Sequence, residues 1–442
     1  MKKTVLLVAI LLSIVVFAGA AFAQTASAPP AKIDTGDTSF VLISAALVLM
    51  MTIPGLFLFY GGMVRSKNVL GVFMQSFILV ALISVQWVLW GYSVAFGPGG
   101  FLVGSLQWFG LAGVGGDPNP DYAATIPHQV YMVFQLMFAV ITPALMTGAF
   151  AERLKFRTFI VFSLLWATLI YDPLAHWVWG VGGWLRNLGA LDFAGGTVVH
   201  ISSGVSALVA VLIIGKRRGY GSEPMAPHNV PFTVIGAGLL WVGWFGFNAG
   251  SALGANGLAA SAFVATNTAA AAATLSWLVV ETLVRGKPTT LGAASGAVAG
   301  LVAITPGSGY VSPMSAIVIG GAAGVICYTA CLLKPRFGYD DSLDVVGVHG
   351  VGGVFGALAT GLFASKAVNA AGADGLFFGN PGLFQSQLIA VGATIALAAS
   401  GTAIILFVLK AVMGLRVSSD EEQLGLDLSQ HNESAYNIGS PE

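Results

Sequence analysis

Eleven stretches of this chain run for roughly the length of a bilayer crossing with scarcely a charged residue in them. A helix needs about 20 predominantly apolar residues to span the hydrocarbon of a membrane. The runs lie at approximately 39–62, 70–96, 128–150, 157–179, 196–214, 231–251, 257–282, 289–305, 312–333, 347–365 and 383–413. The eighth is the shortest and is rich in glycine and alanine. Only 9% of the 442 residues are charged, against about 25% in a soluble domain. Lipid is therefore the main solvent, and the fold class expected is an all-α membrane protein of eleven transmembrane helices. Lysine plus arginine equals aspartate plus glutamate at 19 each, so no net field points to nucleic acid.

Basic residues give an independent test of the span count, because cytoplasmic loops carry an excess of lysine and arginine. Arg65 and Lys67, then Arg153, Lys155 and Arg157, then Lys216, Arg217 and Arg218, then Arg285 and Lys287, then Lys334 and Arg336 fall in loops one, three, five, seven and nine. With Lys410 and Arg416 at the end of the last run, that side holds 14 basic residues. The other side holds three, Lys32, Arg186 and Lys366. The remaining two, Lys2 and Lys3, head an apolar run that closes on Ala21-Phe22-Ala23. That is the pattern of a secretory signal peptide over residues 1–23, with an uncleaved extra helix as the alternative. The expected order is then a lead-in over 24–38 outside the cytoplasm, a helical domain over 39–415, and a cytoplasmic tail over 416–442.

An internal repeat is visible. His200-Ile-Ser-Ser-Gly204-Val205 aligns with His349-Gly-Val-Gly-Gly353-Val354, and Leu56-Phe-Leu-Phe-Tyr-Gly-Gly62 aligns with Trp244-Phe-Gly-Phe-Asn-Ala-Gly250. The partners lie in spans five and ten and in spans one and six. Five helices thus recur once with one helix left over, and an odd repeat is inverted in the membrane. Such repeats place a solute path near the midplane, at the interface of the halves.

The chemistry concentrates on that interface. His200 and His349 occupy corresponding helices, and an ionisable residue within a span is a functional candidate because burying it is costly. A neutral imidazole offers one donor and one acceptor, so two in contact can line a polar path and pass a proton. A cation-recognition site is expected at the outer mouth from Phe138, Trp166 and Ser251, since aromatic faces attract cations by about 0.5–2 kcal/mol when partly desolvated. For any one aromatic, lipid-facing or core packing is the competing reading, because 11% of the chain is aromatic.

Several long strings then carry a specific resemblance. Thr52-Ile-Pro-Gly-Leu-Phe-Leu-Phe-Tyr-Gly-Gly62, Gly148-Ala-Phe-Ala-Glu-Arg153, Ala190-Leu-Asp-Phe-Ala-Gly-Gly-Thr-Val-Val-His200, Gly243-Trp-Phe-Gly-Phe-Asn-Ala-Gly-Ser251 and Asp344-Val-Val-Gly-Val-His-Gly350 resemble the bacterial branch of the ammonium transporter family (Amt/MEP/Rh), from about Ser39 to Asn437. The resemblance implies eleven membrane helices with an inverted five-helix repeat, in a homotrimer with one pore per subunit in the bacterial inner membrane. It implies an outer ammonium site of Phe138, Trp166 and Ser251 with Phe134 beside it, a gate of Phe138 and Phe247, a pore pair of His200 and His349, and Asp192 as a support. Asp192 read alone is a cap on the start of span five. A PII-type signalling protein that blocks the cytoplasmic pore mouths is the partner implied. Gly425-Leu-Asp-Leu and Glu433-Ser-Ala-Tyr-Asn437 in the tail resemble the family's ordered segment, whereas its acidic composition alone reads as solvated.

The other polar residues are read as structural. Asp172 precedes Pro173 and is expected to satisfy backbone groups that the proline frees. His176 reads as a packing residue, and His128, His228 and His431 show no metal-ligand pattern. Cys327 and Cys331, four apart, read as two small side chains on one helix face. No cofactor, metal or catalytic residue is expected. Three rivals remain: an electroneutral channel for ammonia or carbon dioxide, an ammonium sensor (which would be expected to carry an output domain after Asn437), and an intramembrane enzyme, for which no nucleophile–base pair is visible.

Overall fold

The computed structural model describes residues 32–436, so the signal-peptide reading lies outside the described residues. Within them the chain is helical throughout its apolar runs. In lipid the backbone N–H and C=O groups find no water, and a helix satisfies them within its own segment. Ten helices are long and apolar enough to cross a membrane: α1 (Thr35–Met63), α2 (Ser66–Phe96), α3 (His128–Phe150), α4 (Phe156–Asn187), α5 (Gly196–Ile214), α6 (Val230–Gly250), α7 (Gly257–Arg285), α9 (Pro313–Phe337), α10 (Val346–Phe363) and α11 (Pro381–Val412). The short eighth run forms α8 (Thr290–Ile304). Its 15 residues cover roughly 22 Å at about 1.5 Å each. Every residue from Gly296 to Ile304 is buried, so its length is matched to neighbouring helices and not to lipid. A two-stranded hairpin (Pro118–Asn119 with Ala123–Pro127) lies in loop two.

The loops separate onto two faces as the alternation of the spans requires. On the face rich in lysine and arginine, Arg65 of loop one donates to Glu152 of loop three (2.9 Å), and Arg217 of loop five pairs with Asp340 of loop nine (2.9 Å). Arg153, fully buried, donates to the carbonyls of Gly215 (2.9 Å) and Ala149 (3.1 Å) and to Ser342 Oγ (2.8 Å). On the opposite face, loop six meets the start of α1 (Ala255 N–H to Asp37 Oδ1, 2.8 Å). Loop four meets loop eight (Phe193 N–H to Pro306 O, 3.1 Å), and loop eight meets loop ten (Ser365 N–H to Tyr310 O, 2.8 Å).

The tail is folded down on the basic face. Two short helices, α12 (Ser419–Leu424) and α13 (Leu426–His431), follow α11. Glu422 accepts from Arg416 (2.6 Å) and from the Arg218 backbone (2.6 Å). Asp427 accepts from the Gly71 N–H at the start of α2 (2.8 Å). The acidic residues that read as solvating therefore serve partly as anchors.

The two helices that carry the histidines cross by glycine contact. A Cβ added at Gly204 of α5 would overlap the Gly350 backbone of α10, and one added at Gly353 would lie 3.0 Å from His200 Cβ and Ile201 N. Each helix thus sets the glycine four residues after its histidine against the residue just after the other's histidine. That reciprocity is what a two-fold relation between repeats produces, and small residues at such crossings let membrane helices approach closely. Cys327 and Cys331 both face α10, next to Gly352 and Gly347, and both are free.

Candidate functional site

A column of rings runs through the centre of the molecule. Phe138 on α3 lies against Phe247 on α6, with centroids 4.3 Å apart and planes at 33°. Phe247 is followed by His200 at 6.2 Å. His200 is followed by His349 at 5.3 Å, with planes 21° apart. The imidazole Nδ1 atoms face each other at 3.3 Å. Each histidine sits in a widened turn at the start of its helix, Gly196–Ile201 and Val346–Val351, a local form that recurs at functional sites.

Two cavities border the column, the first lined mainly by apolar groups. One cavity touches Met51, Leu56, Phe59, Trp244, Phe247 and both histidines. A second touches Phe59, Tyr60, Ser295, Asp344 and His349. Phe59, Val298 and His349 line both, so His349 stands between an apolar upper chamber and a chamber that reaches the loop before α10. If one Nδ1 donates to the other, one Nε2 is left as an acceptor and the other as a donor. His200 Nε2 is buried and has no partner.

Phe134 meets Phe138 edge-on at 5.0 Å. Ser251 follows the last turn of α6, half-buried, and its hydroxyl donates to Phe247 O at 2.8 Å, leaving the oxygen lone pairs free. Trp166 does not join this mouth. It is fully buried, and its indole N–H is taken by Ser206 Oγ (2.9 Å) and Thr402 Oγ1 (3.2 Å) on α5 and α11. The aromatic that does pack on Phe138 is Trp179, edge-on at 5.9 Å. It lies 13 residues further along α4, about 20 Å at the helical rise. The tryptophan of α4 that reaches Phe138 is therefore Trp179 and not the expected Trp166. The helix carries Trp166, Trp177, Trp179 and Trp184, and which of them reaches Phe138 depends on depth along α4.

Asp192 explains why Trp179 is held there. Its carboxylate accepts the backbone N–H groups of Gly195, Gly196 and Thr197, each at 2.7 Å, and also the Thr197 hydroxyl. It thereby caps the start of α5, where four backbone donors lack helical partners. Its own backbone oxygen accepts the Trp179 indole N–H at 2.9 Å. The aspartate eight residues before the second histidine does the same for α10: Asp341 accepts the Val346 N–H at 2.7 Å. The sequence signal for this second cap is the equal Asp-to-His spacing in the two repeats. Trp244 is stacked on His200 at 5.5 Å and 21°, a role that its place in the Gly243–Ser251 string does not reveal.

Asp172 differs from expectation. Its partner is the Gln86 amide of α2 at 2.6 Å and not a backbone group freed by Pro173. His176 is buried against the carbonyls of Ala95 (3.0 Å) and Gly100 (2.7 Å). It is a packing residue that fastens loop two. His128 faces the Tyr92 hydroxyl at 2.6 Å. No group of three metal-ligating side chains occurs among the described residues.

The sequence model of the Ammonium Transporter Family matches residues 39–436. This chain belongs to that family. It is 54% identical over 402 residues to an ammonium transporter of Bacillus subtilis, covering 91% of this chain and 98% of that one. It is 49% identical to the ammonium transporter Amt1 of Archaeoglobus fulgidus, with 91% and 99% covered. The crystal structure of Mep2 from Saccharomyces cerevisiae superposes with a TM-score of 0.85 at 38% identity and covers 93% of each chain. A structure described as a sensor Amt protein superposes at 0.81 with 29% identity, covering 90% of this chain and 98% of the other.

Proposed function

The chain is a multi-pass membrane protein of the ammonium transporter family, and we propose the following path through it. Ammonium is drawn to the aromatic mouth of Phe134, Phe138 and Trp179. The cation–π attraction there is worth about 0.5–2 kcal/mol, and the Ser251 oxygen accepts one of the ammonium protons. Phe138 and Phe247 form the gate. The apolar chamber below offers a cation too little solvation, so the proton leaves near the gate and ammonia moves past His200 and His349. The proton follows through the paired imidazoles. Potassium has no proton to shed and is rejected on chemistry instead of size. The observation that carries this reading is the unbroken column Phe138–Phe247–His200–His349 within apolar walls.

The basic face is read as cytoplasmic by the positive-inside rule, which puts the aromatic mouth and the mature N-terminus outside the bacterial inner membrane. The resemblance to the family supports a homotrimer and a PII-type signalling protein acting at the cytoplasmic mouths. The docked tail with its acidic anchors lies on the face such a partner would meet.

The test is current from purified protein on a solid-supported membrane after an ammonium jump, with potassium as control. A saturable ammonium current without a potassium current supports the path. In the His200→Ala/His349→Ala double variant the path predicts loss of the proton-coupled current. A variant that still carries ammonium current while rejecting potassium would remove the relay. A second reading, the electroneutral gas channel, takes over if the native protein gives no current while ammonia flux remains visible as a pH change inside vesicles.

A further inference from the structure

One residue outside the ring column is built to hold it in register. The short helix α8 ends at Ile304, which brings the next residue, Thr305, fully buried, up to Trp244, a residue that lines the upper chamber. The Thr305 hydroxyl donates its only proton to Leu301 O at 2.7 Å. Its oxygen then accepts the indole N–H of Trp244 at 2.8 Å. Trp244 is 2% exposed, and its ring lies nearly parallel to His200 at 5.5 Å.

His200 has little else to fix the plane of its ring. Its Nε2 has no partner, and its one polar side-chain contact is His349 Nδ1. A histidine ring turns in a broad, roughly two-fold torsional well, so its plane is set by what packs on its faces. Trp244 lies against one face, while His349 meets the ring at its Nδ1 edge. The repeat makes the point sharper. The residue that corresponds to Trp244 in the first half is Leu56, which lines the same chamber with no ring to lay on His349. Among the described residues His200 alone of the pair has an indole clamp, and Thr305 alone anchors that indole.

We infer that Thr305 is a positioning residue for proton transfer. By fixing Trp244 it holds the His200 ring where Nδ1 meets His349. The inference rests on the twin-histidine path proposed above. Thr305 touches neither the substrate nor the imidazoles, so its effect is expected on the transfer step and not on recruitment at the mouth.

Thr305→Val keeps the shape and removes the acceptor. Thr305→Ser keeps the acceptor, and Trp244→Phe keeps a ring face while removing the donor. With current normalised to the amount of folded protein, Thr305→Val is expected to lower the maximal ammonium current about tenfold. The half-saturating concentration should stay within about twofold, and the effect of D2O on the current should be larger than in the native protein. Thr305→Ser should restore the current to within about twofold. Thr305→Val/Trp244→Phe should be no worse than either single variant, because residues acting as a unit are not additive. Native current and isotope effect in Thr305→Val would overturn the inference, as would additive losses in the double variant or a Thr305→Ser protein as impaired as Thr305→Val. His200→Ala, measured alongside, separates the layers. If it changes the current and Thr305→Val does not, the positioning role fails alone. If it changes nothing, the twin-histidine path fails and the positioning role with it.

Discussion

The two halves of the repeat meet at the histidines with the same scaffold and opposite surroundings. Each has an aspartate eight residues before its histidine that caps the helix start, and a glycine four residues after it that lies on the partner helix. Around Asp192 the neighbours are backbone N–H groups, Thr197 and the indole of Trp179, whose ring packs on Phe138, itself set against Phe247. Around Asp341 the neighbours are charged. Lys334 donates to its backbone oxygen at 2.7 Å and pairs with Asp344 at 2.6 Å. Phe59, the counterpart of Phe247, has no second ring stacked on it from α3 among the described residues. Duplication supplied the frame that brings two imidazoles together. Outside that frame one end is aromatic and the other ionic.

The largest break in this comparison comes from the ionic end. Arg217 joins Asp340 and Glu152 while almost buried. Arg217→Met should cost about 3–5 kcal/mol, the usual penalty for stranding a buried partner, read as thermal unfolding in detergent. Burial alone would lift the Asp340 carboxyl, but the Arg217 hydrogen bond and the charges of Arg153 and Arg217 outweigh it and hold the pKa below its ordinary 3.8. Stability from this pair is therefore present above that value and is lost as pH falls through the lower folded one. The native protein should weaken on acidification over that window, and the variant should show less of that dependence. An equal acid response in both would reassign the effect to other carboxylates.

The crossing of α5 and α10 gives the next effect. Gly204→Ala puts a methyl into the Gly350 backbone and should cost about 1–3 kcal/mol as overpacking, with transport lost as the imidazoles part. Gly353→Ala, at 3.0 Å from its neighbours, should be milder, and Gly350→Ala, at 3.5 Å, close to native. Any other ranking in unfolding temperature and flux would break the two-fold account of the crossing.

Removing either cap should cost about 0.5–2 kcal/mol. Asp192→Ala should also raise the half-saturating ammonium concentration, because the loop that carries Trp179's acceptor loosens. Asp341→Ala should leave that concentration near native. The smallest effect separates the tryptophans. Trp179→Leu should raise half-saturation about twofold to thirtyfold, the equivalent of a lost cation–π contact. Trp166→Phe should change stability and not saturation.

Membrane spans and histidines were legible for one reason: in hydrocarbon, polarity is expensive, so most charges in the sequence mark either a loop or a function. The same reasoning placed His200 opposite His349 and the basic loops on one side. It failed where the answer depends on depth along a helix. Trp166 and Trp179 carry the same chemistry at two levels of α4, and composition cannot rank them. It also read loop charges only as markers of side. That Arg217 bridges loop five to loop nine, or that Glu422 anchors the tail, is a matter of tertiary contact between segments more than a hundred residues apart. The short α8 looked like a weak span because length was judged against lipid, while its surroundings are protein.

The contact of Gly204 with the Gly350 backbone makes the crossing of α5 and α10 a fulcrum. Where two rods touch main chain to main chain, their far ends can rock as levers while the pivot hardly moves. A change of bilayer thickness tilts membrane helices at modest cost. Here it should open or tighten the two mouths and leave the spacing of the imidazoles alone. Half-saturation would then vary with lipid chain length, while the size of the isotope effect on current stays constant.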